Sequence, residues 1–236
     1  MRRGVTVADR RGSALDKLML TRLLVVANVI VFIWEYLTGA FGPQYGYTQG
    51  GRTVVTYDPM VAHGAIYGPA IFGKHEFWRV ISGAFLHGGI LHIAVNMFAL
   101  WQVGSAVEAI MGTPRMAVVY FGSAIAAGLA AAYFNYGEPV VGASGAIFGL
   151  FGALVAIGLR HGNRGRTLIA QTLPIIILNL VIGFSVPHIA NSAHIGGLIA
   201  GFVFGFLVYQ VPKPVRTYVT DAQTGETLDS HLYDQQ

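Results

Sequence analysis

Six apolar runs, each close to the length that crosses a lipid bilayer, constrain this chain more than any other feature of its sequence. A helix needs about 20 mostly apolar residues to span the hydrocarbon core, and an isolated helix satisfies its own backbone hydrogen bonds there. We therefore predict an all-α membrane protein, a six-transmembrane-helix bundle built from residues 18–211. The runs lie at roughly 18–38, 84–104, 115–134, 144–159, 167–184 and 193–211.

The composition agrees with a membrane protein and excludes several other classes. Hydrophobic residues make up 54% of the 236 residues and charged residues only 11%, whereas soluble domains carry about 25% charged residues. The chain has no cysteine, which excludes disulfides and thiolate metal sites. The formal net charge is +4. Because the arginines flank apolar runs, we interpret this charge as a topology signal and not as a nucleic-acid-binding surface.

Lysine and arginine are distributed unevenly between the two sides of the predicted bundle. If residues 1–17 form a cytoplasmic N-terminal segment before a retained first span, twelve of the fifteen Lys and Arg residues face the cytoplasm. The three on the outer side are Arg52, Lys74 and Arg79. This positive-inside pattern predicts that the second, fourth and sixth spans begin at the outer face and run inward.

Two segments outside the spans are long enough to need comment. The connection between the first and second spans has about 45 residues, which is long for a compact fold and therefore a candidate functional segment. Residues 212–236 form a polar C-terminal tail. Its sequence TDAQTGETLDS fits either a turn between two short strands or disorder, and the polar composition favours disorder.

Polar side chains inside the spans are the candidates for chemistry, because such groups are costly in lipid. His92 and Asn96 lie four residues apart in the second span and therefore share a helix face. His87 and His92 are five residues apart and diverge by about 140°, which argues against a paired-histidine metal site. Ser144 begins the fourth span and His194 the sixth.

Glycines cluster in the spans that carry the serine and the histidine. Small residues four apart let two helix backbones approach closely in lipid. We therefore predict close contact between the fourth and sixth spans, which a hydrogen bond from Ser144 to His194 requires. The glycines are Gly142, Gly145, Gly149 and Gly152 in the fourth span and Gly196, Gly197, Gly201 and Gly205 in the sixth.

These residues together favour nucleophilic acyl transfer. A serine is a weak nucleophile until a neighbouring base takes its proton, and His194 is placed to be that base. His92, Asn96 and the backbone N–H of Ser144 could stabilise the oxyanion. No carboxylate lies near these residues in the even-numbered spans, so we expect a dyad and not a triad.

Other interpretations of the same residues stay open at this point. Ser144 could be a helix-packing residue, and His92 and Asn96 could join helices through hydrogen bonds without any role in chemistry. A transporter or channel also uses glycine-broken helices and polar groups within the membrane. Two expectations argue against transport: the spans should lack acidic residues, and the polar set should lie towards one side of the bilayer.

Five motifs resemble those of the rhomboid intramembrane serine proteases, and they follow in the family's order over roughly residues 18–211. A GxSG match alone is weak, but the five together make a specific resemblance. In chain order they are WR at 78–79, HIAVN at 92–96, GSAVEAIMG at 104–112, GASG at 142–145 and AHIGGLIAG at 193–201.

The resemblance implies a role for each matched residue. It makes Ser144 the nucleophile, His194 the base, and His92 and Asn96 the oxyanion pair. Many members have tyrosine four residues after the serine, where this chain has Phe148; its ring can still pack on His194, but the hydrogen bond of a phenol is lost. The remaining matched residues would have structural or packing roles: Trp78, Arg79, Glu108, Gly142, Gly145, Gly197 and Gly201.

The resemblance also implies a substrate class and a location. The expected substrates are transmembrane segments of other membrane proteins, cut near their outer end within the bilayer, with no cofactor, metal or nucleic acid involved. The compact six-span core suggests a bacterial inner membrane. The alternative is an inactive relative that binds membrane clients, although the presence of both Ser144 and His194 counts against it. The oligomeric state, the substrate and its entry route stay undetermined.

Overall fold

The computed structural model describes residues 18–43, 45–49, 52–186, 189–211, 218–220 and 227–229. The helices in these segments are α1 (Met19–Thr38), α2 (Pro59–Ala62), α3 (Arg79–Ser82), α4 (Ile90–Ala99), α5 (Ser105–Met111), α6 (Thr113–Phe134), α7 (Ser144–Arg160), α8 (Arg166–Ser185) and α9 (Asn191–Val208). The strands are β1 (Tyr45–Gln49), β2 (Arg52–Tyr57), β3 (Tyr218–Thr220) and β4 (Thr227–Asp229).

Six helical rods form the membrane bundle, which confirms the predicted all-α membrane fold. Five are long and apolar enough to cross a bilayer. The second of them joins α4 to α5 through a π-helical segment at Leu100–Gly104. The remaining rod, α7, is the fourth in chain order and is shorter, with 17 residues and a length of about 25 Å at 1.5 Å per residue.

Helix α7 is the centre of the bundle. Between Gly145 and Gly158, every residue except Val155 is buried. Helix α9 packs chiefly on α7 and α6, and α8 and the α4–α5 rod complete the surroundings of α7. A helix that is apolar on all sides belongs inside a bundle and not at its surface. The serine at the start of α7 therefore stands at the end of the most enclosed element of the fold.

Glycines let α7 and α9 touch through their backbones. A methyl group added at Gly197 would overlap the carbonyl oxygen of Gly145, and one added at Gly201 would overlap that of Gly149. The predicted close approach of the fourth and sixth spans is thus found. In lipid, where apolar burial does not drive association, such backbone contact is a main source of helix–helix attraction.

The predicted bounds of the second span, 84–104, are wrong at both ends. The helix begins at Ile90 and continues to Met111. Gly89 has φ +149°, a conformation in which a non-glycine side chain is strained, so the helix cannot extend back through it. His87 therefore lies in the preceding connection, and Glu108 lies inside the helical rod and not after it.

Two antiparallel hairpins lie outside the helices. Strands β1 and β2 pair in the long first connection, where the sequence did not predict strands, and β3 pairs with β4 in the tail. Disorder, the favoured alternative for 212–236, is therefore wrong for 218–220 and 227–229, where the other alternative, two short strands, is found. The rest of that tail, and the N-terminal segment 1–17, lie outside the described residues.

Candidate active site

Ser144 and His194 meet where α7 and α9 begin. The Oγ atom of Ser144 lies 2.9 Å from Nε2 of His194, although the two residues are 50 positions apart in the chain. Ser144 is half-buried and His194 is buried. Because the glycine contacts between α7 and α9 hold the backbones together, short side chains are sufficient to span the gap. The pair has the geometry of a nucleophile and its base.

The imidazole of His194 is held by ring packing. The Phe148 ring, one turn into α7, lies parallel to it with centroids 4.2 Å apart and planes inclined by 8°. The Nδ1 atom of His194 has no hydrogen-bond partner among the residues that the structure describes. An aromatic stack, and not a carboxylate, therefore orients this ring in the described part of the chain.

His92, in the first turn of α4, lies beside Gly142, two residues before Ser144. The backbone N–H of Gly88 donates to Nδ1 of His92 over 3.2 Å, so in a neutral ring the proton belongs on Nε2. A methyl group added at Gly142 would lie 2.8 Å from that Nε2. His92 thus directs an N–H donor to the space beside Gly142, two residues before the serine.

Asn96 lies one turn beyond His92 on the same helix face. Its Nδ2 donates to the carbonyl oxygen of His92 over 3.1 Å, and the same atom would be 3.8 Å from a methyl group at Gly142. An amide nitrogen carries two protons, so one remains for a second acceptor. The structure therefore brings together His92, Asn96 and Gly142 at the start of α7.

His87 packs against this group from the connection before α4. Its ring lies edge-on to that of His92, with centroids 5.2 Å apart, and its Nδ1 donates to the carbonyl oxygen of Phe85. Burial, with a smaller effect from the neighbouring His92, lowers the pKa of His87 to about 4. Across the described residues, His, Asp and Glu side chains form no group of three that could hold a metal ion.

Three residues of the matched motifs lie away from the serine. Arg79 donates to the carbonyl oxygens of Val61 and Ala65, and its guanidinium lies 4.7 Å from the Trp78 ring centre. These contacts fold the first connection on itself. Glu108 accepts hydrogen bonds from the start of α1, where the backbone N–H groups of Leu20 and Thr21 and the Thr21 hydroxyl donate, and from the Thr113 hydroxyl at the start of α6.

Two residues beside the site were not predicted, Glu35 and Gly88, and the absence of acidic residues expected in the spans is wrong because Glu35 lies in α1. Glu35 accepts a hydrogen bond from the backbone of His87, and Gly88 donates to His92. An acid inside the apolar run 18–38 was a usable signal, since ionisable residues within a span are rarely accidental. The backbone N–H of Gly88 has no signature in the sequence.

Comparison with known proteins gives consistent matches. The profile of the Rhomboid domain matches residues 74–211. Rhomboid protease GluP of Bacillus subtilis (strain 168) is 41% identical over 166 residues, which cover 70% of this chain and 32% of that protein. RHOMBOID-like protein 6, mitochondrial, of Arabidopsis thaliana is 35% identical over 225 residues, covering 86% of this chain and 73% of that protein.

A further relative carries a different description. Inactive RHOMBOID-like protein 8 of Arabidopsis thaliana is 35% identical over 140 residues, which cover 58% of this chain and 40% of that protein. The chain therefore spans about a third of the first of these three relatives and less than half of the last. These relatives therefore include one protein named as a protease and one named as inactive.

Proposed function

The chain belongs to the rhomboid family of multi-pass membrane proteins, and on that premise we propose that it is an intramembrane serine protease with a Ser144–His194 dyad. The observation that carries the proposal is the distance of 2.9 Å between Oγ of Ser144 and Nε2 of His194. A serine nucleophile and a histidine base within hydrogen-bond reach are the smallest set of side chains that can transfer the substrate's acyl group to the serine and then to water.

The first half of the reaction forms an acyl-enzyme. Ser144 Oγ attacks the scissile carbonyl carbon while His194 Nε2 accepts the hydroxyl proton. The tetrahedral oxyanion accepts hydrogen bonds from His92 Nε2–H, the Asn96 amide and the backbone N–H of Ser144. His194 then gives its proton to the leaving amine as the C–N bond breaks.

The second half regenerates the serine. Water loses a proton to His194 Nε2 and attacks the ester carbon, and the same donors stabilise the second oxyanion. Collapse of this intermediate breaks the ester bond, releases the new carboxyl group and returns the proton to Ser144 Oγ. A helix of 17 residues is too short to cross the hydrocarbon core fully, so we expect its serine end to lie recessed, where water from one face can reach it.

We assign the substrates by the position of the site. With a cytoplasmic N-terminus, Ser144 lies towards the outer face, so a transmembrane segment would be cut near its outer end, in a bacterial inner membrane. Helical backbone carbonyls are occupied by hydrogen bonds, so the segment must unwind locally before attack. Helix-weakening residues near the cleaved bond, and a small residue at it, should favour cleavage.

The competing proposal is a protein that binds membrane clients without cleaving them, and one relative is named as inactive. A fluorescent fluorophosphonate, which phosphonylates activated serines, separates the two. Purified wild-type protein in detergent should be labelled, and Ser144→Ala and His194→Ala should not. Ser123→Ala is the matched control, since Ser123 is a buried serine of α6, and this variant should label like the wild type. Folded but unlabelled wild type would overturn the protease in favour of client binding.

A further inference from the structure

A carboxyl group lies buried in the first membrane helix without a part in the reaction above. Glu35 is 0% exposed, and each of its two carboxyl oxygens lies 3.1 Å from the backbone nitrogen of His87. The ion pair between Arg79 and Glu76 does not include Glu35. A buried acid in a membrane helix costs free energy, so its retention calls for a use.

Glu35 reaches the oxyanion donors through two successive peptide groups. The N–H of His87 donates to Glu35, and the N–H of the next residue, Gly88, donates to Nδ1 of His92. Between α3 and α4, backbone hydrogen bonds hold Gly83, Ala84 and Phe85, whereas the N–H groups of His87 and Gly88 donate to side chains and Gly89 adds a flexible position. These two bonds, with the bond from the His87 ring to Phe85, therefore define where the Gly88 N–H points.

The direction of that N–H decides which nitrogen of His92 carries the proton. While Gly88 donates to Nδ1, a neutral imidazole holds its hydrogen on Nε2, which faces the space beside Gly142. If the segment moved, Nδ1 could hold the proton and Nε2 would present a lone pair to the oxyanion. An acceptor at that place would repel the developing negative charge.

We propose that Glu35 is a positioning residue for acyl transfer: it fixes the His87–Gly88 segment and thereby keeps His92 in the tautomer that donates from Nε2. The inference rests on the proposed protease function for its catalytic meaning, but the tautomer of His92 is a property of the folded protein itself. Glu35 acts through two peptide groups and one ring without touching the substrate.

The kinetic test compares four variants by their reaction with a fluorophosphonate, whose phosphonyl oxygen occupies the oxyanion site. Glu35→Leu removes the acceptor and should lower the maximal inactivation rate by roughly 10- to 100-fold, somewhat less than the 100- to 1,000-fold loss of a whole oxyanion donor. The apparent affinity for the reagent should change by less than about threefold, because Glu35 affects the negatively charged transition state of the reaction and not the first, non-covalent complex.

Conservative variants separate positioning from mere folding. Glu35→Gln keeps an oxygen acceptor and should restore the rate to within about threefold of the wild type. Glu35→Asp keeps the carboxyl but withdraws it by one methylene, so an intermediate loss is expected, and this variant serves if Glu35→Leu does not fold. Asn28→Leu is the matched control: Asn28 is also buried on α1 but donates within its own helix, to Leu24, so it should alter stability and leave the rate unchanged.

The closing measurement reads the histidine directly. In protein labelled with 15N-histidine, the signal lost in His92→Ala should show a neutral ring protonated at Nε2, and Glu35→Leu or Glu35→Asp should shift it towards the Nδ1 form. Folded variants with an unchanged tautomer and an unchanged rate would overturn the role of Glu35. If the tautomer shifts in the Glu35 variants but fluorophosphonate labels not even the wild type, the proposed protease function is wrong. The effect of Glu35 on the His92 tautomer would still be supported.

Discussion

At the scale of single residues, the space in front of His92 exists because position 142 is glycine. Gly142 has φ +126°, a conformation that side chains rarely adopt, and a methyl group there would lie 2.8 Å from Nε2 of His92. Both the backbone shape and the free volume therefore require the missing side chain. A substrate oxyanion would have to enter this same volume.

Gly142→Ala should abolish most of the activity while the bundle stays folded. The added methyl group occupies the place of the oxyanion and strains the turn before Ser144, so we expect a loss of at least about 100-fold in the rate of fluorophosphonate labelling, as for a lost oxyanion donor. Gly137→Ala is the control, because a methyl group at Gly137 meets nothing within 4 Å. Equal labelling of the two variants would show that the pocket lies elsewhere.

The ring of Phe148 is stacked on the imidazole of His194 and orients it. Phe148→Leu keeps an apolar side chain but removes the flat surface under His194, so we expect about a 10-fold slower labelling, the cost of roughly 1.4 kcal/mol of orientation. Phe148→Tyr retains the ring and should label within a few-fold of the wild type. Thermal unfolding of each purified variant in detergent provides the check that the fold is kept, and a fully active Phe148→Leu would remove the stack from the mechanism.

At the scale of elements, the contact between α7 and α9 determines whether the dyad forms. Gly201→Ala places a methyl group where the carbonyl oxygen of Gly149 lies, so the helices must separate. Overpacking of this kind costs about 1–3 kcal/mol, and we expect a lower melting temperature together with lost labelling. Ile199→Ala on the same helix is the control, because Ile199 is 60% exposed. If Gly201→Ala melted and labelled like the control, the backbone contact would not govern the site.

The elements also show which features the sequence can predict. Apolar runs and glycine spacing predicted the helices and the α7–α9 contact, because both depend on composition within one element. The start of α4 at Ile90 was missed, because a run of apolar residues does not reveal where a glycine turns out of the helix. The contact of Glu108 with α1 was missed for another reason: a carboxyl that receives N–H groups from a segment some 90 residues away leaves no local pattern.

At the site, residue types were predictable and their hydrogen bonds were not. Ser144, His194, His92 and Asn96 stand out as polar residues in apolar runs, and the structure brings them together. Glu35 stood out equally but lacked a motif. The tautomer of His92 depends on one backbone N–H, whose direction is a property of the folded connection alone.

At the scale of the whole molecule, the arrangement in the membrane can be tested because the chain has no cysteine. A single Glu138→Cys, between α6 and α7, should react with a membrane-impermeant maleimide on intact cells. Asn163→Cys, between α7 and α8, should react only after the membrane is permeabilised. Both positions are exposed. The reverse pattern would overturn the cytoplasmic N-terminus and move the proposed cleavage to the inner side.

The contact of α7 and α9 through bare backbone has a consequence for how the protein fails on heating. Flexible side chains normally let an active site loosen well before the scaffold melts. Here no side chain intervenes at Gly197 and Gly201, so the distance from nucleophile to base is coupled to the packing of the two innermost helices. We therefore expect the wild-type protein to lose fluorophosphonate labelling and its fold over the same temperature range on heating, because separation of these two helices ends both.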